Sequence, residues 1–335
     1  MQICSPKLQE LVTSENSRSN IIDLDTGGIA LSWEYLNPNI DEILDLFEKI
    51  RWVVDSKIKN IEPFKSNKKF VEKYPIWCCL FIRDQVLWIL NRAIEMKYYK
   101  ENWLITLRSY TKKWWTIQPL WGIMDWEYFH NGIQLWNYFL DVAWDTVDLK
   151  WKKVGISSLS LSGFKNLGSF EEFCDVAEKY WNVTIFPNIY FPRIAPIYPL
   201  LILCDDNTIC FNTLSSVFSL ATTSFFHNSY EFIFKSKYKD RVLPKDVTEK
   251  LGEQFYFESD FFDKRKKEFN IGSFYRYWDF DATESYMTIY KDLMLNEPNW
   301  IMVGIIAHAM KFITEFNELN ISIEPRIAEE IRTNI

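Results

Sequence analysis

Residues 77–151 hold ten of the chain's fifteen tryptophans. Each large aromatic ring removes roughly 150–250 Å² from water when buried, so this stretch must lie in a core or at an interface. Its spacing reads as helical. Trp126, Phe129, Ile133, Trp136, Leu140, Ala143, Trp144, Val147 and Trp151 recur at three- and four-residue steps, which line one face of an α-helix. The intervening positions are polar, among them Glu127, His130, Asn131, Gln134, Asp141, Asp145 and Asp148. The pattern predicts one long amphipathic helix over residues 123–151. Upstream, residues 77–100 are apolar round most of a helical circumference and predict a core helix. Residues 103–118 form a shorter amphipathic pattern that Pro119 brings to an end.

Around this stretch the chain divides into four parts. Residues 1–36 are a polar N-terminal segment. Residues 37–151 form a Trp-rich helical domain, whose first helix begins after Asn39 with Glu42 placed to complete a capping box. Residues 152–168 are a Ser/Gly-rich linker. Residues 169–335 form an α+β domain with a hairpin near 198–211, turned at Asp205, Asp206 and Asn207. Ser169 and Glu172 open a helix running to Trp181 in the capping-box manner. Further helices are expected over residues 214–226, 247–268, 282–295 and 298–318. The fold class expected is mainly α with a small antiparallel β-sheet, an α+β fold with an aromatic-rich helical core.

At 335 residues, 48% hydrophobic and 25% charged, the chain has the composition of a globular protein. Ten glycines are few for its length. The sequence contains no GxGxxG, no P-loop and no GxSxG, so dinucleotide, nucleotide and α/β-hydrolase signatures are absent. A net charge of -7 disfavours nucleic acid as a partner unless a local basic face overrides it. The apolar runs fall short of the roughly 20 residues that a bilayer span needs, and the N-terminus lacks the basic start and apolar run of a secretory signal. A cytoplasmic protein with no membrane partner is expected. The six cysteines include no CxxC pair. Cys78 and Cys79 read as reduced core residues, and Cys204 and Cys210 are the one plausible cross-strand pair, with two buried thiols as the plainer account.

Three constellations carry possible chemistry. Glu127-x-x-His130 has the spacing that lets one helix offer a carboxylate and an imidazole to a metal. No second such motif follows, since Ser224 and Ile305 stand three residues before His227 and His308. No metal and no cofactor are expected. Trp114, Trp115, Trp121, Trp126, Glu127 and His130 would line an aromatic pocket suited to an apolar or aromatic substrate. Lys235, Lys237, Lys239, Arg241 and Lys245, interleaved with Tyr238, would make a basic strip able to touch phosphates and stack bases. The acidic pairs Asp205 with Asp206, Asp145 with Asp148 and Asp279 with Asp281 lack neighbours that would define a two-carboxylate site.

The resulting expectation is an intracellular, non-enzymatic interaction or regulatory protein that binds a protein partner, as a subunit or neutralising partner in a microbial system. An enzyme built on the 114–130 pocket is the first alternative. A nucleic-acid-binding or nuclease-related subunit using the 235–267 strip is the second.

Overall fold

The computed structural model describes residues 36–95, 117–254 and 287–333, apart from residues 63, 66, 67, 289, 293, 297 and 298. The chain divides into two compact units between Leu167 and Gly168.

The first unit begins with helix α1 (Ile40–Lys57), which buries Ile43, Leu46, Phe47, Ile50 and Val54 at helical spacing. Asn39 makes no side-chain cap there, contrary to the capping box expected. A short helix α2 (Lys68–Lys73) precedes α3 (Cys79–Glu95), which buries Ile82, Val86 and Leu90. The core helix read over residues 77–100 is therefore present, starting at Cys79. Five antiparallel strands follow: β1 (Ile117–Met124), β2 (Tyr128–Leu135), β3 (Tyr138–Asp141), β4 (Gly155–Ser158) and β5 (Phe164–Lys165). Their order in the sheet is β4-β3-β2-β1-β5.

This sheet corrects the fold class. The chain is not mainly helical with one small sheet, because this five-stranded sheet stands beside a second, three-stranded one. The helix expected over residues 123–151 is replaced by β2, β3 and the end of β1. Two turns explain the replacement. Asp125 and Trp126 have φ of 50° and 62°, and Trp136 has φ of 59°, left-handed values that interrupt a helix and reverse the chain in hairpins. The pairing Met124↔Tyr128 closes the first hairpin, and Leu135↔Tyr138 closes the second around Trp136 and Asn137. Every residue of β2 is buried, so the alternation that marks a half-exposed strand is missing. Its aromatic positions happen to fall at helix-like steps. Within residues 152–168, expected as linker, β4 pairs with β3 and β5 with β1.

Buried ionic groups fasten α1 to the loop after β3. Arg51, only 1% exposed, donates to both carboxylate oxygens of Asp145 at 2.8 and 3.0 Å and to the Val142 carbonyl at 2.9 Å. Its Nε donates to Asp55, which also accepts from Tyr74 and Lys153. Burial works against the Arg51 charge, but the hydrogen-bonded Asp145, with the Asp55 carboxylate, holds its pKa above the ordinary value.

In the second unit, helix α4 (Phe170–Trp181) opens as its sequence predicts. Ser169 Oγ accepts from the Glu172 amide at 3.2 Å, and Glu172 accepts from the Gly168 amide at 2.8 Å. Strands β6 (Thr184–Pro187), β7 (Leu200–Leu203) and β8 (Ile209–Phe211) form the three-stranded antiparallel sheet in that order. The hairpin near 198–211 is β7–β8. Helix α5 (Ser215–Thr223) stops where one helix to residue 226 was expected, because Phe225 and Phe226 take φ of 51° and 63°. Helices α6 (His227–Lys235), α7 (Lys245–Gln254), α8 (Asn299–Glu318) and α9 (Pro325–Thr333) follow. The helix expected over residues 247–268 is described only to Gln254; of that expected over residues 282–295, residues 282–286 lie outside the described part and the described residues of 287–296 are helical. Residues 1–35 and 103–116, for which other elements were read, lie outside the described residues. No described helix is long and apolar enough to cross a membrane.

Candidate active site

The first turn of α3 brings three chemically active side chains together with strands β2 and β3. Cys79 is the first residue of the helix, and the first intrahelical bond runs from the Ile82 amide to the Cys78 carbonyl at 2.9 Å. The amide of Cys79 is thus one of those at a helix start that have no intrahelical acceptor. The positive end of the helix dipole favours a negative sulfur at this place.

His130, on β2, is fully buried. Its Nε2 lies 2.7 Å from Asp141 Oδ2 at the end of β3, and the other Asp141 oxygen accepts from the Ala143 amide at 2.8 Å. The carboxylate is therefore anchored, and it fixes which imidazole nitrogen it holds. Nδ1 makes no well-formed hydrogen bond. The Cys79 thiol and the imidazole act on each other electrostatically, each favouring the charged form of the other. Burial alone would keep His130 neutral, but the Asp141 carboxylate, reinforced by Cys79, outweighs it and raises the pKa from 6.5 to about 10. Burial likewise pushes the Cys79 thiol up. Interaction with His130 overcomes this, helped by the Asn131 amide and the Arg83 charge, and leaves the thiol below its ordinary value.

A partly exposed cysteine at a helix N-terminus, an imidazole that interacts with it and a carboxylate holding the far imidazole nitrogen are the residue types that can act as nucleophile, base and orienting group. Such an array is recognised by geometry and not by chain order. Among the described residues no three His, Cys, Asp or Glu side chains converge in a way that would hold a metal ion.

The sequence-based candidates are distributed differently. Of the expected aromatic pocket, Trp114 and Trp115 lie outside the described residues. Trp121, on β1, stacks on Phe129 with ring centroids 5.2 Å apart. Trp126 and Glu127 are exposed in the β1–β2 turn, where Lys165 Nζ lies 4.5 Å from the Trp126 ring. Only His130 enters the array. Glu127-x-x-His130 is not on one helix here: Glu127 is exposed in the turn, whereas His130 is fully buried on β2.

In the basic strip, Lys235 pairs with Glu231 at 2.8 Å, Lys237 with Asp175 at 2.6 Å and Lys245 with Glu249 at 3.5 Å, while Arg241 pairs with Glu178. Lys239 is exposed. Asp205 and Asp206 occupy the β7–β8 turn, where Asp206 accepts from Thr208, and Asp145 holds Arg51. A shallow pocket in the second unit, lined in part by Ser169, Asn228, Glu231 and Lys235, contains no comparable array. Cys204 and Cys210 are buried free thiols with sulfurs 3.4 Å apart.

Cys79 and Asp141 were missed in the sequence. Cys79 sits in an apolar helix beside Cys78, and the carboxylate is eleven residues from His130 with nothing in the spacing to link them. The only available signal was compositional: a cysteine at a helix start in a chain with just three histidines. No family model, curated protein or solved structure matches the chain.

Proposed function

We propose that the protein is a cysteine-dependent enzyme of acyl transfer or hydrolysis, with Cys79 as nucleophile, His130 as proton carrier and Asp141 as the group that orients and charges His130. The observation carrying this reading is the array itself. Asp141 holds one nitrogen of His130 at 2.7 Å, and Cys79, at the start of α3, interacts electrostatically with the same imidazole.

The reaction begins with transfer of the Cys79 proton to His130 Nδ1, giving a thiolate and an imidazolium. The sulfur attacks an acyl carbon, an S–C bond forms, and the carbonyl π pair moves onto oxygen, which the Cys79 amide at the helix start is suited to receive. As that pair returns, the bond to the leaving group breaks and His130 Nδ1 gives the leaving group its proton. Water then attacks the thioester, His130 takes a proton from it, and the acid product leaves with the Cys79 thiolate and His130 imidazolium restored.

Incubation with p-nitrophenyl esters and aminocoumarin amides tests the proposal. The expected result is a burst of leaving group with an acyl adduct on Cys79 by mass spectrometry, lost in Cys79→Ser and retained in Cys78→Ser. Adducts distributed equally over both adjacent cysteines would overturn it.

A second reading, the binding of a protein partner, is favoured by one observation. Trp52 and Trp88 are 71% and 58% exposed on α1 and α3, and tryptophan is enriched among residues that carry interface energy. Co-purification that survives Cys79→Ser and is lost on Trp52→Ala or Trp88→Ala would favour it. The nucleic-acid reading has less support, since four of the five basic-strip cations are engaged by carboxylates.

A further inference from the structure

We infer that Asn131 is a positioning residue for the Cys79 thiolate, its amide turned by Arg83 so that an N–H and not the carbonyl faces the sulfur. The inference rests on the reading of Cys79 as the nucleophile.

Asn131 Nδ2 lies 3.3 Å from Cys79 Sγ, and Asn131 Oδ1 accepts from Arg83 Nη1 at 2.7 Å. The two ends of a side-chain amide resemble one another in shape, so a neighbour must decide which end points where. Arg83 decides it. A guanidinium carries only donors, so the Asn131 atom facing it must be the oxygen, and the nitrogen is left facing the sulfur. Arg83 is itself fully buried and held on two further sides. Nη1 also donates to the Leu120 carbonyl at 3.0 Å, while Nε and Nη2 donate to Asp84 Oδ1 at 2.9 and 2.7 Å. The i,i+4 spacing of Cys79 and Arg83 places both on one side of α3. One helix therefore carries both the nucleophile and the cation that aims its hydrogen-bond donor.

A donor of this kind stabilises a thiolate more than a thiol, because a charge-assisted bond is the stronger. The groups acting on the sulfur are His130, the Asn131 amide and the Arg83 cation on its favourable side, with the Tyr128 hydroxyl and the Asp141 carboxylate in the same surroundings. Removal of the Asn131 donor leaves His130 and Arg83 in place. The thiolate should survive in reduced amount.

The test is the pH profile of iodoacetamide alkylation at Cys79, read by mass spectrometry on the full-length protein. Asn131→Asp keeps the size and the Arg83 contact but turns the donor into a carboxylate; Asn131→Leu removes the donor without adding charge. Each is expected to move the midpoint of the profile upward, the Asp variant further, and to slow alkylation at pH values below the parent midpoint, by about tenfold for one unit in a thiol pKa. Circular dichroism reports whether each variant is folded. In the unaltered protein, the Asn131 side-chain amide resonance should move with the same midpoint as alkylation, a measurement that needs no variant. Profiles of the folded variants that superimpose on that of the parent, or an amide resonance blind to thiol ionisation, would overturn the inference while leaving Cys79 as nucleophile. A parent Cys79 that titrates as an ordinary thiol would remove both this inference and the enzyme reading beneath it.

Discussion

At the scale of single residues, the buried imidazole links reactivity to stability. The folded protein holds a proton on His130 more tightly than the unfolded chain does, with a pKa raised from 6.5 to about 10. Its stabilising contribution is therefore fully present below pH 6.5 and is lost as pH rises through about 10. Asp141→Asn removes the charge that outweighs burial, so the variant should differ most from the parent near pH 6 and least near pH 10. Urea unfolding at those two values measures this, and a gap that widens with pH would contradict it. The same substitution should slow Cys79 alkylation at pH 7, because the imidazolium that favours the thiolate over the thiol is weakened. An ordinary free cysteine is only a few per cent thiolate at that pH.

At the scale of elements, two contacts govern the first unit. Arg51 and Asp145 tie α1 to the segment after β3 with both charges buried. Loss of one partner strands the other, a change that typically costs about 3–5 kcal/mol. Arg51→Met alone should therefore destabilise strongly, whereas Arg51→Met with Asp145→Leu should recover much of the loss in denaturant titration. The β2–β3 hairpin depends on a close approach at Gly132, where an added Cβ would meet the Phe139 ring at 2.3 Å and the Leu140 carbonyl at 3.3 Å. Gly132→Ala is expected to cost about 1–3 kcal/mol through overpacking, seen as a lowered unfolding midpoint. A neutral outcome would mean that the Phe139 ring moves aside freely.

At the scale of the whole molecule, each unit has its own interior. In the first, apolar residues of α1 and α3 pack in one cluster with Ile133, Leu135 and Leu140 of the sheet. In the second, Phe191 is fully buried, and its ring centroid lies 5.5 Å from those of Phe211 and Phe316 and 5.7 Å from that of Phe312. Phe191→Ala empties the space between β8 and α8 and should cost about 3–5 kcal/mol. Hydrogen exchange by peptide checks this, with accelerated exchange expected in residues 209–211 and 309–316.

Local signals determined the elements whose chemistry lies within a few neighbouring residues. The apolar stripe of α1, the Ser169 cap, the β7–β8 turn at Asp206 and Asn207, and the core helix near Cys79 could all be read from spacing and cap chemistry. The five-stranded sheet could not. Its central strand β2 is covered on both faces, and burial on both sides erases the two-residue alternation that separates strand from helix. Trp136 at positive φ gives no compositional warning, since the turn is held by its surroundings and not by a Gly or Asn at that place. The candidate site was hidden for a related reason. Cys79, His130 and Asp141 share no sequence motif, and each looks ordinary beside its own neighbours; only the packing of α3 against the sheet brings thiol, imidazole and carboxylate into one region.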